Sequence, residues 1–355
     1  MATQTETLPA AVGSLSLAGE PRKITPLEPS GVLDKYQPVD LTPAAGRQFE
    51  TVELSDLLDA PNADELLKEL AITIHRRVVV FFKKQQKALT DDQLKRLARK
   101  LGTLTGGEGY LHIHPTEIGR EDNEISPIQA ESFKRSRDKR SALASNGWHT
   151  DITFEPVPSD IAILTLTQIP ESGGGDTLWA SAYEAYDRLT PAFARWLEGF
   201  TAEHSGEQFH QVAALRGTPL YTDVRGHPSN KGDHLKAIHP VIRINPVTGW
   251  KGLFVNPVFT KRIVELSFDE SAIVLNYLFT LIKDNHNLQV RFKWDKNDVA
   301  LWSNTSSFHN VTVDYQGIDR VGHRAVSLGD KPYFHPEAGG RSRREALGLP
   351  KWLEE

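Results

Sequence analysis

The 355-residue chain contains no cysteine and a single methionine. Without cysteine, disulfides, iron–sulfur clusters, thiolate zinc sites and cysteine nucleophiles are excluded together, and a reducing, cytoplasmic location is expected. Any metal must be held by His, Asp or Glu. No run of 18 apolar residues occurs and the N-terminus has no basic segment leading into an apolar core, which argues against a membrane span and a secretory signal. Basic blocks are lacking as well: 41 Lys and Arg stand against 46 Asp and Glu, so nucleic acid is not an expected partner.

What is present falls into three parts. Residues 1–45 are rich in Pro, Thr, Ser and Gly with little periodicity, and read as an N-terminal extension, partly disordered, that can wrap a domain surface. A single domain is expected over 46–340, followed by a tail at 341–355. Its pattern is α+β. Residues 64–75 look helical, 78–82 form a short apolar strand, and Thr90 to Gln93 carry capping-box spacing before a helix that Gly102 should end. Residues 103–147 read mostly as loop, 161–167 as a strand, 173–175 as a glycine turn, and 182–189 and 191–197 as helices. The polar stretch 207–236 reads as an irregular insertion or lid. Strands are expected at 237–244, 252–255, 288–294, 299–302, 310–313 and 324–328, with an amphipathic helix at 270–282. Many short strands with few helices suggest an antiparallel double-sheet roll, a jelly-roll core with helices packed outside.

His149-Thr150-Asp151 is the chemically informative motif. In an extended segment residues i and i+2 project to the same side, so imidazole and carboxylate converge. With a second histidine they would form a two-His-one-carboxylate facial triad, which leaves open positions on Fe(II). The tripeptide alone is cheap: 13 histidines, each with about a 6% chance of an Asp two places on, give just under one such pair by accident. His335-Pro336-Glu337 is a competing pair, but no histidine follows it. His309, downstream between strand-like runs, can close a triad with His149 and Asp151, and Arg320 and Arg324 beside a metal would suit a carboxylate through paired hydrogen bonds.

Taken in order, His149-Thr150-Asp151, Gly174-Gly175-Asp176-Thr177-Leu178-Trp179, Gly252 to Asn256, His309, Asp314-Tyr315, Arg320 and His323 to Pro332 resemble the taurine dioxygenase (TauD/TfdA-like) family of Fe(II)/2-oxoglutarate-dependent dioxygenases, over roughly residues 78–334. The resemblance implies a double-stranded β-helix, with Fe(II) on His149, Asp151 and His309 and with 2-oxoglutarate and O2 as co-substrates. It implies that Thr177 and Arg320 bind the distal carboxylate of 2-oxoglutarate and that Arg324 binds the anionic head of the primary substrate. His114 matches a substrate-contacting histidine and Phe259 an aromatic wall, and a homo-oligomer is implied. The chain departs from the pattern at Glu117, Ser145 and Phe209, where the family has a tyrosine, an asparagine and a serine, and at Ser303, where it has an aspartate. The iron and co-substrate sites are therefore expected intact and the substrate pocket altered, which counts against taurine itself.

The expected partner is a small anionic or zwitterionic molecule, with a sulfonate first and an alkyl sulfate next. A carboxylate at Glu117 opposite Arg324 would suit an amino acid, so the same iron chemistry on an amino acid or other carboxylate is the alternative. A non-catalytic metal- or anion-binding roll is a remote third reading, disfavoured by Thr177 and Arg320, for which a structural metal has no use. A zinc hydrolase lacks an obvious general base.

Overall fold

The computed structural model describes residues 22–117, 122–129, 143–171, 173–315, 320–350 and 352. Of the partly disordered extension expected over 1–45, the first 21 residues lie outside them, as do residues 351 and 353–355 of the tail. From residue 22 the extension lies along the domain: Leu33, Ala44 and Ala45 are buried, and Leu27 N–H donates to the Val247 carbonyl.

Strands β1 (Val39–Asp40) and β2 (Arg47–Phe49) precede helices α1 (Leu54–Asp59) and α2 (Ala63–Arg77). Strand β3 (Val79–Phe82) is buried at every residue. Helix α3 (Asp91–Leu104) starts at the expected capping box: Thr90 accepts from the Gln93 N–H and Gln93 accepts from the Thr90 N–H. It runs two residues past Gly102, which is buried within the helix against Ser327 of the sheet. The stretch read as mostly loop contains β4 (Ile125–Gln129).

Next come β5 (Ser159–Gln168), β6 (Thr177–Ser181), α4 (Ala182–Asp187), α5 (Pro191–Leu197), β7 (Thr201–Ser205), α6 (Gln208–Arg216), β8 (Lys236–Pro240), β9 (Ile242–Ile244) and β10 (Lys251–Leu253). The chain ends through β11 (Thr260–Ile263), α7 (Phe268–Asp284), β12 (Gln289–Phe292), β13 (Val299–Ser303), β14 (Ser307–Val311), β15 (Val321–Leu328) and α8 (Arg343–Ala346). The single strand expected at 237–244 is two. It divides after Pro240, whose ring removes a ladder donor, and the halves join different sheets.

A seven-stranded sheet has the order β1-β2-β3-β13-β5-β15-β4, and a three-stranded sheet has the order β12-β6-β14. All pairings are antiparallel except β2 with β3. Alternation along β3 explains its complete burial. Val79 and Phe81 face the three-stranded sheet, where Phe81 stacks on Phe292 at 4.1 Å and meets Trp179 at 5.3 Å. Val80 and Phe82 face the opposite way, into the cluster formed with Leu67, Leu70 and Ile74 of α2 and Leu94 and Leu97 of α3. The result is an α+β double-stranded β-helix with helices outside. Its two walls meet at an antiparallel bridge between His149 and His309.

Candidate metal and co-substrate site

That bridge builds the site. His149 N–H donates to the His309 carbonyl at 3.0 Å and His309 N–H donates to the His149 carbonyl at 2.7 Å, so two histidines far apart in sequence are locked side by side, with ring centroids 4.2 Å apart. Asp151 is pinned on both sides of its backbone, and its neighbour Thr150 is tied down as well. The Asp151 N–H donates to Asn304 Oδ1 at 3.1 Å, its carbonyl accepts from Ser159 Oγ at 2.9 Å, and the Thr150 hydroxyl donates to the Ser307 carbonyl at 2.7 Å. The next residue, Ile152, has φ +49°, a left-handed conformation that costs a β-branched residue about 1–3 kcal/mol and is held by its surroundings. It turns the chain sharply just after the carboxylate.

One ligand atom each from His149, Asp151 and His309 lies within 4.8 Å of the others. Asp151 Oδ1 is 3.8 Å from His149 Nε2 and 3.7 Å from His309 Nε2. Nδ1 of His149 donates to the Gly147 carbonyl at 2.8 Å, which leaves its Nε2 lone pair facing the cluster. Burial pushes both imidazoles down, His309 to about 3 with the neighbouring His149 adding to the effect. Burial also pushes the Asp151 carboxyl up, but Arg324 and the two imidazoles outweigh it and hold it below the usual range. Neutral imidazoles beside an ionised carboxylate are the protonation states a divalent metal requires. Asp151 Oδ2 is buried with no hydrogen-bond partner, a cost an ion would relieve. This donor set fits Fe(II).

Arg320 and Thr177 lie together beside the triad sheet. Arg320 is 2% exposed and has no carboxylate partner among the described residues; its Nε donates to the Gly175 carbonyl at 3.0 Å and its Nη2 to Thr177 Oγ1 at 3.5 Å. Burial lowers its pKa to about 10, which still leaves it charged. Trp294, which the sequence did not single out, donates to the same Thr177 oxygen at 3.0 Å. With two N–H groups on that oxygen, the hydroxyl hydrogen is available to an incoming anion. The glycine turn has a specific task. A Cβ on Gly175 (φ +72°) would stand 2.8 Å from Arg320 Cδ, so only glycine admits the guanidinium stem.

Arg324, on β15, donates from Nη1 to Asp151 Oδ1 at 3.0 Å, and its Nε is buried without a partner. His114 Nδ1 is 2.8 Å from Thr116 Oγ1 and its ring meets Phe209 edge-on at 4.7 Å. Phe259 is buried, its ring 6.1 Å from His149. Phe209 belongs to α6, inside the stretch expected to be irregular. Ser145 lies in a short 3-10 turn at Ala144–Gly147, four residues before His149. Glu117 follows His114 in a turn, its N–H donating to the His114 carbonyl. The competing pair behaves differently: His335 Nδ1 caps the Glu337 N–H, a local structural contact. His323 pairs with Asp91 at 2.5 Å, tying β15 to the start of α3. His112 and the buried Glu155–Arg225 pair also belong to this region and carry no sequence motif.

The family model for the taurine catabolism dioxygenase TauD, TfdA family matches residues 38–326. The alpha-ketoglutarate-dependent dioxygenase esdpJ of Penicillium shearii is 38% identical over 95% of this chain and 99% of its own. The alpha-ketoglutarate-dependent sulfonate dioxygenase of Saccharomyces cerevisiae is 31% identical over 82% of this chain and 66% of its own. A taurine dioxygenase from Burkholderia xenovorans superposes with a TM-score of 0.66 at 26% identity, covering 86% of this chain and 92% of its own. A roll that brings two histidines and a carboxylate together beside a buried arginine, matched along most of its length by these proteins, belongs to the TauD/TfdA family and is a 2-oxoglutarate-dependent dioxygenase.

Proposed function

We propose that this enzyme oxidises a C–H bond of a small organic anion, a sulfonate or an alkyl sulfate, with Fe(II) on His149, Asp151 and His309. Bound iron with 2-oxoglutarate and O2 supplies the oxidant, and succinate and CO2 are the co-products. The protein's own task is placement. Arg320 and the Thr177 hydroxyl grip the distal carboxylate of 2-oxoglutarate, which orients it across the site. Arg324 holds the substrate's anionic head, and its contact with Asp151 gives way to a metal on that carboxylate. His114 and Phe259 bound the space in which the C–H bond sits, and the buried Phe259 ring keeps water from that side.

The observation that carries this reading is the pair of charge requirements at one place: a neutral-His, ionised-Asp triad that favours a cation, with the guanidinium of Arg324 three ångströms from its carboxylate. The yeast relative's sulfonate chemistry supports the choice of anion. Glu117, in the turn after His114, supports a second reading in which the anion is a zwitterionic amino acid. A panel of sulfonates, alkyl sulfates and amino acids, assayed for succinate release, sulfite and product mass, tests the assignment. Turnover of amino acids with no sulfonate or sulfate ester consumed would reject the first reading in favour of the second. As a family member the enzyme is further proposed to work as a homo-oligomer.

A further inference from the structure

Resting on the reading that His149, Asp151 and His309 hold a metal, we propose that His75, on the outer helix α2, is a positioning residue for that metal, acting through Ser303 and Asn304 on Asp151. The turn between β13 and β14 carries the link. Asn304 Oδ1 accepts the Asp151 N–H at 3.1 Å and the Trp302 Nε1–H at 3.3 Å, while the Asn304 N–H donates to the Asp160 carbonyl at 2.6 Å. Asn304 Nδ2 is buried with no hydrogen-bond partner among the described residues. Its side chain is therefore held at one end only, and its aim depends on the turn that carries it. The residues on either side anchor that turn to α2. Ser303 Oγ lies 3.1 Å and Thr305 Oγ1 3.3 Å from His75 Nδ1, with 2.7 Å between the two oxygens.

These hydrogen bonds run in one direction. Asn245 Oδ1 accepts the N–H groups of Val247 and Thr248, which turns Nδ2 of the same amide toward Thr305 Oγ1 at 2.6 Å and His75 Nδ1 at 3.1 Å. An amide nitrogen only donates, so His75 Nδ1 is an acceptor. Thr305 accepts from Asn245 and gives its own hydrogen to Ser303, and Ser303 gives its hydrogen to His75. The ring is neutral, pushed to about 3 by burial and Arg243, and its one N–H is then on Nε2, 3.5 Å from Asp160 Oδ1. Position 303 has to accept one hydrogen and donate another, which a hydroxyl does and an ionised carboxylate cannot. Ser303, where the chain departs from the family pattern, is thus the piece that joins the turn to α2. All four side chains of the chain of bonds, His75, Asn245, Ser303 and Thr305, are 3% exposed or less, so water does not replace them. The hold on Asp151 matters because Ile152 beside it is left-handed at φ +49°, a conformation that persists only where its surroundings over-determine it.

Mn(II) binding to the full chain is measured by isothermal titration, with denaturation followed in parallel so that affinity is read on folded protein. Ser303→Ala and His75→Leu should each weaken Mn(II) binding about tenfold. His75→Asn, whose amide oxygen can replace Nδ1 as the acceptor, should recover most of the loss. Asn304→Ala should weaken binding at least as much, and adding Ser303→Ala to it should cost nothing further, because both act through the same amide. A merely structural role would lower the denaturation midpoint and leave the affinity of the folded protein unchanged. Ser303→Ala removes one oxygen and leaves α2 intact, so it decides the matter if His75→Leu does not fold. Wild-type affinity in Ser303→Ala, or losses from Ser303→Ala and Asn304→Ala that add in full, overturns the inference and leaves the metal reading standing. No Mn(II) binding by the unmodified chain, or binding that survives His149→Ala combined with Asp151→Ala, overturns the metal reading and this inference with it.

Discussion

Arg320 and Arg324 are only four residues apart, yet they sit in different surroundings. Arg320 is enclosed, bonded to a carbonyl and a hydroxyl. Arg324 reaches the triad carboxylate. Truncating a buried charged partner of an anion costs about 2 kcal/mol or more, roughly thirtyfold in affinity. Arg320→Ala should therefore raise the KM for 2-oxoglutarate at least thirtyfold and change the primary substrate's KM little, whereas Arg324→Ala should do the reverse. Equal effects of both changes on both ligands would show that the division of roles is wrong. Gly175→Ala should reproduce the Arg320→Ala phenotype in weaker form, since its methyl would stand against the Arg320 stem. At the triad, His149→Ala and Asp151→Ala should each abolish turnover and metal uptake, measured by isothermal titration with Fe(II) under anaerobic conditions or with Mn(II). Such residues were legible because their chemistry is unusual and their order along the chain repeats a family pattern. Trp294 was not, because a tryptophan bonded to Thr177 looks in sequence like any core residue.

At the scale of elements, legibility follows amphipathic contrast. Helix α3 was readable from its capping box and leucines, and α7 from Val274, Leu275, Leu278 and Ile282 on one face. Helix α6 was missed because it buries almost nothing, leaving no apolar stripe to detect. The segment following α6 is nonetheless fastened. Arg225 donates to Glu155 through Nε at 2.5 Å and Nη2 at 3.0 Å, with both side chains 1% exposed, and also to the carbonyls of Tyr221 and Gly232. Asn230 exchanges two hydrogen bonds with the Val157 backbone, and Tyr221 N–H donates to the Pro115 carbonyl near His114. The expected lid is thus stapled to the segment that follows Asp151. Removing one member of a buried ion pair costs about 3–5 kcal/mol because the other is left charged and unpaired. Arg225→Ala should lose stability on that scale in chemical denaturation and become sensitive to proteolysis within 217–235. The double change Arg225→Leu with Glu155→Leu should lose clearly less. If the single and double variants were equally destabilised, the pair would not be what fastens the segment.

For the whole molecule, the same burial that makes the site also sets its response to acid. Seven histidines, His75, His112, His114, His149, His204, His239 and His309, are held neutral by burial, with His75 and His239 pushed to about 3. In the unfolded chain each takes up a proton below about pH 6.5. Their contribution to stability is therefore fully present above that pH and is lost as the pH falls. Four carboxyls work in the opposite sense. Burial raises those of Glu155, Asp160, Asp187 and Asp298, Asp160 to about 7 and Asp187 to about 6. Their contribution is greatest below about pH 4 and is lost as the pH rises through their folded values. The histidines outnumber these carboxyls, so the unfolded state takes up more protons than the folded one as the pH falls through 6.5, and stability should drop with acid. Denaturant titrations at pH 7.5, 6.5 and 5.5 should show the midpoint nearly level between the first two and falling steeply between the last two. A metal that needs the same neutral imidazoles at His149 and His309 should add stability at pH 7.5 and progressively less at lower pH. A midpoint that stayed level down to pH 5.5 would mean that these histidines become protonated without unfolding the protein, and that burial does not hold them neutral.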